Sequence, residues 1–187
     1  MKGKFVIIVG PSTSGKTEAV KALLARVPNS TRFVSVTTRA PRPDEKNGSD
    51  YVFVSRDEFQ KSVEAGEFFE YAEVYGNLYG SSKKVLADAL ATHGIVFAII
   101  DIQGAQTIKK AMPEAFVVFL NPGPIEVVHA RMKKIRTDIS EEQMSKRMET
   151  ARQELALADS FDAKVENREG RFEEAVEDTL KIVEGLS

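Results

Sequence analysis

Eight residues near the N-terminus, Gly10-Pro11-Ser12-Thr13-Ser14-Gly15-Lys16-Thr17, restrict this chain more than any other stretch. They fit G-x-x-x-x-G-K-[ST] in full, a loop whose backbone N–H groups converge on phosphate oxygens. Such a loop works only between a strand and a helix, and both flanks supply what it needs. Phe5-Val6-Ile7-Ile8-Val9 is a continuous apolar, largely β-branched run, as a strand buried on both faces of a parallel sheet requires. Beyond the loop, Ala19, Val20, Leu23, Leu24 and Val27 recur at helical spacing until Pro28. The helix adds its positive N-terminal end to the loop. The mobile Lys16 ammonium suits β- and γ-phosphates, and the Thr17 hydroxyl suits the Mg²⁺ that travels with them. The chain opens as an α/β unit able to hold a nucleoside triphosphate along Gly10, Pro11, Ser12, Thr13, Ser14, Gly15, Lys16 and Thr17.

The same alternation returns downstream. Residues 95–100, tipped by Asp101, and residues 115–120 are two more buried-strand runs, and 163–166 is a poorer one. Helices are predicted over 82–92, 104–112, 124–134 and, from the capping box of Ser140 and Gln143, 140–158. Phe172, Ala175, Val176, Leu180 and Val183 mark a C-terminal amphipathic helix. Strands alternating with helices at both ends predict an α/β fold with a doubly wound parallel sheet.

Two stretches leave that pattern. Residues 33–94 hold short strands expected at 33–37 and 51–54, a helix from the Ser55/Glu58 capping box to about 65, and an aromatic stretch, 67–79, without clean periodicity. Residues 124–160 form charged helices. The chain reads as one domain, with a core of about 1–32, 95–123 and 161–187, an inserted α+β region of about 33–94 and a helical lid of about 124–160.

Composition removes several function classes. A net charge of -2 leaves no broad basic face for nucleic acid or an anionic membrane. No apolar run approaches the ~20 residues that span a bilayer, and the N-terminus lacks the length and cleavage site of a signal peptide. With no cysteine, disulfides, thiolate catalysis and cysteine-ligated zinc are excluded, which is compatible with a reducing cytoplasm. His93 and His129 carry no expected role.

The inserted region contains the more specific signal. Ser35-Val36-Thr37-Thr38-Arg39-Ala40-Pro41-Arg42-Pro43 is followed by Glu45, Gly48, Asp50, Tyr51 and Phe53. Arg39 and Arg42, three apart around a proline, present guanidinium forks suited to a bidentate grip on a phosphate dianion. Tyr51 and Tyr79 can add hydroxyl donors to the same oxygens. A carboxylate such as Glu70 suits the adjacent N1–H and N2–H₂ donors of guanine, whereas the N1 acceptor of adenine would meet it lone pair to lone pair. Ser35 and Ser81 are short hydroxyls able to reach O6 or N7.

This block resembles the acceptor-binding segment of the guanylate kinase family. Glu70-Tyr71-Ala72-Glu73-Val74-Tyr75-Gly76-Asn77, Tyr79-Gly80-Ser81-Ser82, Asp101-Ile102-Gln103-Gly104-Ala105 and Arg147 extend the likeness in collinear order over nearly the whole chain. The resemblance implies transfer of the γ-phosphoryl group of Mg-ATP to GMP, and to dGMP, by a cytoplasmic enzyme of purine metabolism with no nucleic-acid or membrane partner. It places Arg39, Arg42, Tyr51 and Tyr79 on the GMP phosphate, and Ser35, Glu70, Ser81 and Asp101 on guanine. Within the basic 124–160 segment, Arg131 is expected at ATP, and Arg136 and Arg147 are expected, with Lys16, to neutralise charge on the transferring group.

Three positions depart from the family pattern. Thr13 stands where glycine is usual, Ile99 replaces an acidic residue two positions before Asp101, and Arg131 and Arg136 are separated by one residue more than expected. Two other readings fit parts of the chain: a P-loop kinase for a different phosphorylated acceptor, or a module gripping a phosphorylated peptide through Arg39, Arg42 and Tyr51. The intact Lys16 and Thr17 speak against the second.

Overall fold

The N-terminal apolar run forms the central strand, β1 (Lys4–Val9), of the computed structural model, which describes residues 3–74, 76–135 and 139–186. The phosphate loop then leads into α1 (Lys16–Arg26) and β2 (Ser30–Arg32). The inserted region follows as β3 (Val36–Thr37), β4 (Val52–Phe53), α2 (Arg56–Glu64), β5 (Phe68–Val74), β6 (Asn77–Ser82) and α3 (Lys83–Thr92). The chain returns through β7 (Ile95–Ile99), α4 (Ile102–Ala111) and β8 (Phe116–Asn121), continues as α5 (Ile125–Ile135) and α6 (Glu141–Ala156), and ends with β9 (Ala163–Glu166) and α7 (Phe172–Glu184).

Among the described residues the main sheet is parallel throughout, in the order β2-β7-β1-β8-β9. Period-two alternation sends Phe5, Ile7 and Val9 to one face, against Leu86, Ile102 and Ile108. Val6 and Ile8 go to the other, against Val20, Leu23 and Val176. Helices cover both faces, so β1 has no solvent side and carries no polar residue after Lys4. The doubly wound expectation is met.

A second sheet, β4-β3-β6-β5, has its own small core of Val36, Phe59, Phe68 and Leu78. The Phe59 and Phe68 rings stack at 4.6 Å. Gly80 is confined beneath them, since a Cβ there would lie 2.9 Å from the Phe68 ring. Helices α5 and α6 pack on each other through Val128, Met132, Met148 and Ala151.

Two expectations need correction. Residues 33–37 are not one strand: β2 ends at Arg32 in the main sheet, and β3 starts at Val36 in the second. Phe33 still donates its N–H to Phe97 O at 2.6 Å, so the chain leaves one sheet for the other between Phe33 and Val36. The stretch 67–79 is mostly strand, the β5–β6 hairpin, whose register shifts between Phe68 and Tyr71. An irregularity of that kind spoils the alternation that would have revealed the strands. Among the described residues no helix is long and apolar enough to cross a membrane.

Candidate active site

The phosphate loop leaves β1 at Gly10, where φ is 142° and a Cβ would come within 2.5 Å of Leu120 O. It closes at Gly15, with φ 88°, the N-cap of α1. Between them Ser14 is buried, and Thr13 holds a left-handed φ of 69° although it has a β-branched side chain. The Thr13 hydroxyl is buried without a hydrogen-bond partner among the described residues. Lys16 Nζ lies inside the loop, donating to Gly10 O at 2.6 Å and Pro11 O at 2.8 Å. Burial draws its ammonium down to about 8, against the opposing pull of Glu154 and Glu18. Thr17, one residue on, is exposed in the first turn of α1.

Helix α6 contributes a residue that no local motif marked. Glu154, near the C-terminal end of α6, is half-buried, and burial pushes its carboxyl up to about 7. Lys16 pulls it down and Asp101 pushes it up, so it stands as an electrostatic neighbour of both. Asp101 also caps α4, its Oδ1 accepting the Gly104 N–H at 2.8 Å. Burial, and then the Asp101 charge, raise the Glu70 carboxyl, while its hydrogen bond from Ser81 lowers it. Ser81 Oγ donates to Glu70 Oε1 at 2.6 Å. A cavity of about 390 Å³ opens beside this group, with Phe69, Glu70, Asp101 and Gly104 in its walls. A Cβ on Gly104 would sit 3.1 Å from Glu70 Oε2, so the glycine keeps that oxygen approachable.

Three of the residues expected to grip a phosphate, Arg39, Tyr51 and Tyr79, meet beside the second sheet. Arg39 Nη2 bonds both carboxylate oxygens of Glu45, at 2.8 and 2.9 Å, and Nη1 donates to Ala40 O at 2.8 Å. The guanidinium also lies 5.4 Å from the Tyr51 ring centroid. Tyr51 and Tyr79 meet edge to face at 5.9 Å. Glu45 Oε2 accepts the backbone N–H of Arg42 at 2.8 Å, leaving the Arg42 side chain exposed at the rim. Glu45 organises both arginines, a part that the sequence did not assign to it; the Arg39 guanidinium in turn holds its carboxyl below the usual range.

The structure thus brings Glu70, Ser81 and Asp101 together, and Arg39, Tyr51 and Tyr79 together. Ser35 sits at the start of β3, and its carbonyl accepts the Val52 N–H at 2.9 Å. Arg131 Nη2 donates to Asn167 O at 3.0 Å. Arg147 is half-buried on α6. Arg136 lies outside the described residues.

Glu154 is thus an electrostatic neighbour of both Lys16 and Asp101, and Asp101 of Glu70, which Ser81 holds at 2.6 Å.

A family model described as guanylate kinase matches residues 2–186. A guanylate kinase of Rubrobacter xylanophilus is 37% identical over 182 residues, which are 97% of this chain and 94% of that one. One of Nocardia farcinica is 43% identical over 170 residues, 90% and 88% of the two chains. Among solved structures, the guanylate kinase of Anaplasma phagocytophilum superposes with a TM-score of 0.75 at 29% identity, covering 98% of this chain and 86% of that chain.

Proposed function

The chain belongs to the guanylate kinase family, and we propose that it transfers the γ-phosphoryl group of ATP, held in the loop around Lys16, to the phosphate of a GMP whose base lies at Glu70 and Ser81. The observation that carries the reading is the presence, beside such a loop, of a guanine-matched carboxylate, Glu70, held by Ser81 at 2.6 Å in the wall of a cavity of about 390 Å³.

In this reading the triphosphate enters the loop from Gly10 to Thr17, and Lys16 exchanges the Gly10 and Pro11 carbonyls for phosphate oxygens. The GMP phosphate takes Arg39 and Arg42 with the Tyr51 and Tyr79 hydroxyls, so Arg39 gives up part of its hold on Glu45. Guanine presents N1–H and N2–H₂ to Glu70, whose other oxygen Ser81 steadies, with Ser35 and Asp101 completing the base site. The acceptor phosphate has a second pKa near ~6 and is already a nucleophile at neutral pH, so no general base is needed. What remains is alignment and neutralisation of charge by Lys16, Arg131, Arg136 and Arg147.

Among the described residues no three acidic or histidine side chains cluster to hold a metal. A single hydroxyl, Thr17, suits a magnesium ion whose other ligands are phosphate and water, and which would neutralise charge on the β- and γ-oxygens. We assign residues 33–94 to the acceptor, 124–160 to a lid and the remainder to the core of one domain, in a cytoplasmic enzyme that also accepts dGMP.

An ADP-release assay with GMP, dGMP, AMP, CMP, UMP and dTMP tests this. Turnover should be confined to the guanine nucleotides, and Lys16→Met should nearly abolish it while calorimetry still records GMP binding. Comparable turnover of AMP or UMP would overturn the guanine assignment.

A further inference from the structure

Asn167, the residue after β9, is 5% exposed. Its backbone N–H donates to Asn121 O at the end of β8, at 2.7 Å, and its carbonyl accepts Arg131 of α5 at 3.0 Å. Its side-chain Nδ2 donates to Ser14 O, inside the phosphate loop, at 2.8 Å. One buried residue therefore ties the loop, the sheet and α5 together.

The bond to Ser14 O has a directional consequence. A peptide unit is planar and trans, so its C=O and the following N–H point in opposite directions. Fixing Ser14 O against Asn167 aims the Gly15 N–H away from Asn167. Glycine tolerates many backbone settings, so the Ser14–Gly15 peptide could rotate unless something held it. Residue 15 and Asn167 also depend on each other sterically, because a Cβ at residue 15 would lie 2.6 Å from Nδ2.

We propose that Asn167 is a positioning residue for the donor nucleotide: its side chain locks the Ser14–Gly15 peptide so that the Gly15 N–H faces an incoming phosphate oxygen. The proposal rests on the reading of Gly10 to Thr17 as the donor-phosphate site. It concerns the loop alone and leaves the acceptor site untouched.

Asn167→Asp keeps the shape but sets a carboxylate oxygen against the Ser14 carbonyl, and Asn167→Ala removes the clasp. Thermal melts first establish that each variant folds, and if the alanine variant does not, the near-isosteric aspartate decides. Calorimetry with ADP should record a loss of affinity of about ten- to a hundredfold, the scale of one unsatisfied buried hydrogen bond. GMP affinity should stay within about twofold of wild type, a split that general loosening of the fold would not produce. Nuclear magnetic resonance supplies a second readout: ADP should shift the Gly15 amide proton downfield in the wild type and not in Asn167→Asp. Folded variants with wild-type ADP affinity and an unchanged Gly15 response would overturn the proposal, as would equal losses for ADP and GMP. A wild-type chain that bound no ADP would overturn the donor-site reading, and this proposal with it.

Discussion

Thr13 combines two unfavourable features at one position. Its φ of 69° costs an L-residue with a Cβ roughly 1–2 kcal/mol, and its buried hydroxyl has no partner among the described residues. Glycine would relieve both, at an entropic cost of about 0.5–1 kcal/mol. Thr13→Gly should therefore stabilise the ligand-free protein by about 1 kcal/mol, read as a higher urea midpoint at unchanged slope. A lower midpoint would mean that the threonine methyl packs better than the backbone strain costs. Glu70 makes the opposite kind of case, a strained charge with a purpose. Burial already raises its carboxyl, and guanine would repay that with two donors. Glu70→Gln sets a donor against a donor, so kcat/KM for GMP should fall by about two orders of magnitude. IMP, lacking the N2 amino group, should lose less, and the preference for GMP over IMP should narrow. Equal losses in steady-state kinetics would show that Glu70 does not read the base.

Among the elements, α6 does most to join the two halves of the site, through Glu154. The folded carboxyl titrates at about 7, above the ordinary 4.5, so folding takes up a proton between those values. Stability from this group is full at low pH, falls as pH rises through that window and is level beyond it. Glu154→Gln carries no such proton. Its melting temperature should gain on wild type from about pH 5 to 7 and hold its lead above that, which parallel scans over pH would reveal. Glu154 was illegible in the sequence for a physical reason: its neighbours Lys16 and Asp101 sit on other elements, with no spacing rule between them. The same holds for Asn167, whose partner lies 153 residues away. Gly10 to Thr17 was legible because one short segment performs one task between a strand and a helix. The main strands were legible because burial on both faces forces continuous apolar runs, as in β1. The β5–β6 hairpin was not, since its irregular register blurs the alternation, and the strand-like alternation of 33–37 could not announce that the chain changes sheets after Phe33.

At the scale of the whole molecule, three apolar groupings matter: the double-faced main core, the Phe59–Phe68 cluster of the second sheet, and the Val128–Met148 cluster of the lid. A region with its own core can move as a unit without exposing another's. With GMP and a non-hydrolysable ATP analogue together, residues 33–94 and 124–160 should close over the phosphates and exclude water. Small-angle scattering should record a smaller radius of gyration with both ligands than with either alone. An unchanged profile would sink the closure and leave the kinase assignment standing. The central place of β1 has a further consequence, in time. Val6 pairs with Phe97 on one side and Phe116 on the other, so β1 leaves the ribosome with neither partner made until about ninety residues more have followed it. At roughly 5–20 residues per second that wait lasts several seconds, with a ribbon that is apolar from Phe5 to Val9 waiting to be paired. The second sheet draws its partners from a nearer stretch, Val36 to Ser82, and can form meanwhile. During synthesis, the second sheet can take shape before the loop from Gly10 to Thr17 has a sheet to stand on.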